Sequence, residues 1–67
     1  MTNKEKLIKV RELLTEVDNL IDQDLINETD EIIETIPFES LACGSLEYLS
    51  RDIEFWTNDL NEIINRL

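Results

Sequence analysis

The C-terminal stretch LACGSLEYLSRDIEFWTNDLNEIINRL, residues 41–67, decides the fold. Its apolar residues recur at alternating steps of four and three, which is the spacing of a helix that packs along one seam. The predicted seam consists of Ala42, Leu46, Leu49, Ile53, Trp56, Leu60, Ile63 and Leu67. Gly44 lies opposite this seam, where packing does not explain a glycine, so we expect a helix break there, with Ser45 capping the next helix. The spacing therefore predicts a coiled-coil-like helix over about residues 46–66.

Two shorter segments with helical spacing precede this helix. The first contains Leu7, Val10, Leu14, Val17 and Ile21, and predicts a helix over about residues 4–22 with Thr2 or Asn3 as its N-cap. The second contains Leu25, Ile26, Ile32, Ile33 and Ile36, and predicts a middle helix over about residues 24–35 that ends before Pro37. Residues 21–25 fit either a turn or a continuous bend. We expect one all-α domain over residues 1–67, either a small helical hairpin or a three-helix bundle.

The short chain limits how much core the protein can bury. A domain of this length buries only roughly 60% of its unfolded surface, so a single core is marginal without a further source of stability. The chain has one cysteine, Cys43, and no histidine, which excludes an intrachain disulfide and disfavours a zinc site. Because no cofactor is indicated either, the remaining sources are oligomerisation and binding to a partner. We expect a homo-oligomer.

The apolar residues are spread too evenly for a membrane segment. No stretch approaches the roughly 18 consecutive apolar residues that a spanning helix needs, and residues 1–9 have no apolar run typical of a signal peptide. A single reduced cysteine also fits a reducing compartment. We expect a cytoplasmic protein, in a bacterial cell or an infected host cell, with no membrane partner.

The charge distribution is the strongest indication of function. The net charge is −10, and residues 12–50 contain no Lys, Arg or His. The carboxylates in that interval are Glu12, Glu16, Asp18, Asp22, Asp24, Glu28, Asp30, Glu31, Glu34, Glu39 and Glu47. Such a surface repels nucleic acid and attracts basic proteins. The residues that we predict to bind a partner are Asp24, Glu28, Asp30, Glu31, Glu34 and Glu39.

The sequence provides little for catalysis or metal binding, and we predict neither catalytic residues nor a metal site. Asp22 and Asp24 begin like a calcium loop, but the position of the closing glutamate is occupied by Ile33. Cys43 has no neighbouring cation to activate it, so we expect a small buried thiol. The protein is therefore not expected to be an enzyme.

A second apolar strip lies beside the seam of the last helix. Tyr48 and Phe55 are seven residues apart, and they are either covered by another helix of the same chain or exposed to another chain. The residues that we predict to form an oligomer or partner interface are Tyr48, Leu49, Ile53, Phe55, Trp56 and Leu60.

These features favour a non-enzymatic acidic module, an inhibitor that occupies a basic, nucleic-acid-binding surface of a host protein. Carboxylates along a rigid helix can imitate a row of phosphates. The small size and the bias towards Ile, Asn, Glu and Lys are typical of phages or mobile elements of low-GC bacteria. The alternative is a self-assembling helical oligomerisation module. A lesser alternative is a protein that sequesters a small anionic ligand through the cations between Lys4 and Arg11.

Overall fold

The computed structural model describes all 67 residues and contains three α-helices and no strand. Helix α1 spans Asn3–Leu20, α2 spans Gln23–Ile33 and α3 spans Leu46–Arg66, with a single 3₁₀ turn at Phe38–Ser40 between α2 and α3. The all-α class and the long C-terminal helix predicted from the sequence are confirmed.

Side-chain caps set where each helix begins. The backbone N–H of Glu5 donates to Thr2 Oγ1 (3.1 Å) while Glu5 Oε1 accepts from the backbone N–H of Thr2 (3.3 Å), which closes a capping box at the start of α1. At the start of α2, Asp22 Oδ1 accepts from the backbone N–H of Leu25 (2.8 Å). Because Asp22 caps a new helix and Ile21 and Asp22 both have extended backbone, the connection between α1 and α2 is a two-residue break rather than a continuous bend.

Gly44 ends the connection before α3 in a conformation that other residues avoid. Its φ is +80°, and no heavy atom lies within 4 Å of the position that a Cβ would occupy. The glycine is therefore required by the backbone and not by close packing. Ser45 follows as the N-cap, and its Oγ accepts from the backbone N–H of Glu47 (3.2 Å). The helix break expected at Gly44 is confirmed.

Helices α1 and α3 pack side by side in opposite directions. Arg11 Nη1 donates to Asn61 Oδ1 (2.8 Å) near one end of the contact, and Ser50 Oγ donates to Asp18 Oδ1 (2.7 Å) near the other. The buried residues of the chain all lie on α3 and are Ile53, Leu60 and Ile64. Helix α2 packs on α3 and makes no contact with α1. The molecule is accordingly elongated, measuring 44 × 25 × 19 Å.

The buried line along α3 differs from the predicted seam. It runs through the half-buried Leu46 and then through Ile53, Leu60 and Ile64, whereas Ala42 lies in the loop before the helix. The predicted seam residues that remain exposed are Leu49, Trp56, Ile63 and Leu67. The apolar stripe of α3 is wider than a single helix can cover, and α1 covers only one half of it.

The small core makes each of its residues important for stability. We expect Leu60→Ala to lower the free energy of unfolding by about 2–4 kcal/mol, because the removed atoms leave a cavity in contact with α1. Phe38→Ala serves as the control, since Phe38 is 91% exposed and its truncation removes little buried surface. Urea denaturation followed by circular dichroism measures the free energy of unfolding of both variants. Equal losses in the two variants would contradict a core centred on Leu60.

Candidate protein-interaction surfaces

The outer side of α2 presents a row of carboxylates. Asp24, Glu28 and Glu31 follow one another at helical steps of four and three, and all three side chains are exposed. We call these three residues the acidic row. Glu34, at the C-cap of α2, and Glu39, in the 3₁₀ turn, are exposed as well. A rigid helix thus holds the central charges of the predicted partner-binding set on one side.

Almost none of the negative charge is neutralised within the molecule. The two ion pairs are Lys9 Nζ to Glu12 Oε2 (4.0 Å) and Arg66 Nη2 to Glu62 Oε1 (2.8 Å), and both are exposed. Two of the sixteen acidic side chains are therefore paired with a cation, which leaves fourteen unpaired. Their combined field extends into solvent and attracts cationic surfaces.

The end of α2 carries acids where a helix disfavours them. Asp30 and Glu31 lie in its last turns, Glu34 caps it, and the last turn contains no cation. The C-terminal end of a helix is the negative end of its dipole, so carboxylates there reduce helix stability. Local stability does not account for these acids.

Asp30 differs from the other residues of the predicted partner-binding set. Its side chain is half-buried on the inner side of α2, together with Thr29 and Ile33, and its Oδ1 is buried without a hydrogen-bond partner. A carboxylate in this position is turned away from an approaching protein. The structure therefore places Asp30 apart from the acidic row.

The predicted interface residues of α3 divide into two groups. Ile53 and Leu60 are 3% and 5% exposed, so they belong to the core rather than to an exposed interface, because α1 packs directly over them. The residues of the predicted interface that remain exposed are Tyr48, Leu49, Phe55 and Trp56. No helix of the chain covers the strip formed by Tyr48 and Phe55.

The exposed apolar residues of α1 and α3 lie on one side of the helix pair. Two hydrogen bonds, from Arg11 to Asn61 and from Ser50 to Asp18, join the polar edges of the two helices. Rotation by about 100° per residue places the apolar flank of each helix opposite its polar edge. Because the polar edges meet, the apolar flanks also lie together. We call this surface the open face, formed by Val10, Leu13, Val17, Leu49, Trp56 and Ile63, all exposed.

Cys43 is placed differently from the sequence expectation, and the basic residues of α1 have different partners from one another. Cys43 is exposed in the loop before α3, so the expectation of a buried thiol is wrong. The Arg11 guanidinium donates to Asn61, which gives it a structural role. Lys4 and Lys6 form no ion pair. The lesser alternative, that this cluster binds a small anion, stays a prediction.

No group of three or more Cys, Asp or Glu side chains has an arrangement that could hold a metal ion. None of the helices combines the length and the apolar character needed to cross a membrane. Comparisons with protein-family models, with curated proteins and with solved structures gave no match. Function is therefore inferred from the geometry of the acidic row and the open face.

The unpartnered oxygen of Asp30 leads to a stability prediction. We expect Asp30→Ala to raise the free energy of unfolding by about 1 kcal/mol, because it removes an unsatisfied buried acceptor and introduces a better helix former. The midpoint of urea denaturation measures the change. Glu28→Ala provides the control for helix propensity alone, since Glu28 is exposed. A midpoint that falls with Asp30→Ala would show that the carboxylate is satisfied in solution.

Proposed function

We propose that the protein is a non-enzymatic, acidic interaction module that binds a basic surface of another protein, of the kind that otherwise holds nucleic acid. The observation that carries this proposal is the excess of carboxylates without a cation, fourteen of sixteen. Charge of one sign at this density accelerates the encounter with an oppositely charged surface and selects against acidic partners.

The geometry of the acidic row supports imitation of a nucleic-acid strand. Asp24 and Glu31 are seven residues apart, which corresponds to about 10 Å along the helix axis, so the row carries one charge per about 5 Å. Duplex DNA carries one charge per about 3.4 Å of each strand. The row is less dense than a strand, but it is straight and rigid, and it faces away from α3.

The cost of the acids at the end of α2 also supports a role in binding. Residues that reduce local stability without a compensating contact are commonly found at functional sites. Glu31 and Glu34 fit this description, because the last turn of α2 has no cation beside them.

An inhibitor is the simplest protein to act in this way. Occupying a basic groove excludes the nucleic acid that normally binds there, and it needs neither a catalytic group nor a cofactor. We infer from the composition noted above that such an inhibitor comes from a phage or mobile element of a low-GC bacterium and acts in the cytoplasm of its host. The property that we expect every partner to share is a basic surface.

Neutralising the acidic row should weaken binding to the partner. We expect the double variant Glu28→Gln, Glu31→Gln to bind about tenfold more weakly at about 150 mM salt and to show a shallower dependence of affinity on salt, because two charge contacts are lost. The partner is first recovered from lysate of the host cell with tagged protein at low salt, and its affinity is then measured by calorimetry over a salt series. Duplex DNA added as a competitor should release the partner.

The control variant Glu16→Gln, Glu54→Gln changes the net charge by the same amount. Both residues are exposed, and they lie on α1 and α3, away from the acidic row. We expect this variant to retain most of the affinity. Binding that does not depend on salt, a partner that DNA does not displace, or equal losses in the two double variants would each refute the proposal.

A further inference from the structure

The open face exposes more apolar surface than a small monomer normally leaves uncovered. Its six residues, together with Leu20 and Leu67 at its two ends, expose on the order of 700 Å² per copy, judged from exposed fractions between 39% and 74%. A standard protein interface buries about 800 Å² on each partner. The open face is therefore large enough to form a stable interface by itself.

The small core indicates which molecule covers the open face. Only Ile53, Leu60 and Ile64 are buried, and a chain of this size needs an additional source of stability. A partner that is met only occasionally would leave the chain marginal until binding. A second copy is available as soon as the chain is made, and its apolar face has the same size and character.

We propose that the open face binds the same face of a second copy and forms a four-helix bundle. In this bundle Trp56 and Ile63 enter a common core with Val10 and Val17 of the partner. Pairs of antiparallel helices with apolar residues on one side form such bundles by stacking face to face. The acidic row of each copy remains free, because it lies on α2.

The charges that border the open face select one of the two ways to stack the helices. Lys6 lies four residues before Val10 and Lys9 four before Leu13, while Glu16 lies three after Leu13, so the border of the face on α1 has a net positive charge. Asp52 and Asp59 lie three residues after Leu49 and Trp56, and Arg66 lies three after Ile63, so the border of the face on α3 has a net negative charge.

Stacking α3 on the partner's α3 would bring acids against acids. Stacking α1 on the partner's α3 brings a border with a net positive charge against one with a net negative charge. Counting antiparallel from the Arg11–Asn61 and Asp18–Ser50 hydrogen bonds places Lys9 level with residues 63 and 59 of α3, within about one helical turn of the partner's Asp59. The charge pattern therefore points to α1 packed antiparallel on the partner's α3.

The first experiment measures association of the full chain. Sedimentation equilibrium between about 1 and 100 μM should show a dimer that dissociates on dilution. Trp56 is the only tryptophan and is 58% exposed in a single copy, so its emission should shift to longer wavelength as the dimer dissociates. A monomer throughout this range, with the emission of an exposed indole, would overturn the proposal.

The matched variants are Trp56→Gln and Phe55→Gln. The two aromatic residues are adjacent and similarly exposed, at 58% and 61%, but only Trp56 belongs to the open face. We expect Trp56→Gln to weaken dimerisation at least tenfold and Phe55→Gln to leave it within about twofold, since buried aromatic residues dominate such interfaces. Loss of fold in Trp56→Gln alone also supports the proposal, because a single copy leaves that side chain exposed. Equal effects of the two substitutions on the dimer dissociation constant would overturn the proposal.

The salt dependence separates this dimer from binding to a basic partner. Each copy carries a net charge of −10, so added salt screens their repulsion and should strengthen the dimer, whereas it weakens attachment to a basic surface. A dimer that dissociates as salt rises would overturn the proposal. Glu28→Gln, Glu31→Gln should leave dimerisation intact, so failure of the proposed function and failure of the dimer are distinguishable.

Charge exchange tests the order of the helices. Lys9→Glu and Asp59→Lys should each remove two contacts between the copies, and the double variant should restore them at an unchanged net charge. We expect a coupling of about fivefold in the dimer dissociation constant for the two contacts together. Absence of coupling would overturn the stacking of α1 on the partner's α3.

Discussion

The contact between α1 and α3 is the interaction on which the rest of the structure depends. It buries Ile53, Leu60 and Ile64, and polar side chains close it along one edge. Two helices in contact can cover only part of a wide apolar stripe, and no third helix lies over the remaining part. The same contact that creates the core therefore also creates the open face, and the two surfaces are alternate sides of one stripe on α3.

Charge is arranged independently of this contact. Most of the carboxylates, apart from Asp18 and Asp30, occupy the outer sides of the three helices, while the cations are concentrated in the first turns of α1. Repulsion among like charges destabilises a compact chain, so the protein retains its negative field at the expense of its own stability. The proposed target and the proposed dimer use different parts of the surface, the outer side of α2 and the flanks of α1 and α3, so one molecule can engage both.

Much of the fold could be predicted from local sequence signals. Helical spacing, the caps at Thr2 and Ser45 and the break at Gly44 depend on residues close together in the chain, and the observed helices begin and end within two residues of their predicted bounds. The choice between Ile63 and Ile64 as a core residue could not be predicted, because both positions are compatible with the stripe and only the placement of α1 distinguishes them. The same limitation explains Cys43, since burial in a loop depends on contacts between distant segments.

The candidate surfaces, like the fold, could be predicted where they depend on one helix and not where they depend on two. Exposure of Asp24, Glu28 and Glu31 follows from the helical periodicity of α2, and the apolar positions 25, 26 and 33 identify its inner side. Asp30 lies on the inner side, although its charge alone predicts an exposed position. The open face combines residues more than thirty positions apart, so it becomes visible only when the two helices are placed against each other.

Helix α2 is held in the structure by fewer contacts than α1 and α3. This helix contacts α3 but not α1, and it is joined to the rest by the two extended residues before it and by the loop that ends at Gly44. A segment held on one side only has a lower free energy of local unfolding than a helix pair. Its amide hydrogens can therefore exchange while α1 and α3 stay together. The helix that carries the acidic row can thus unfold and re-form locally without separating the pair that holds the chain folded.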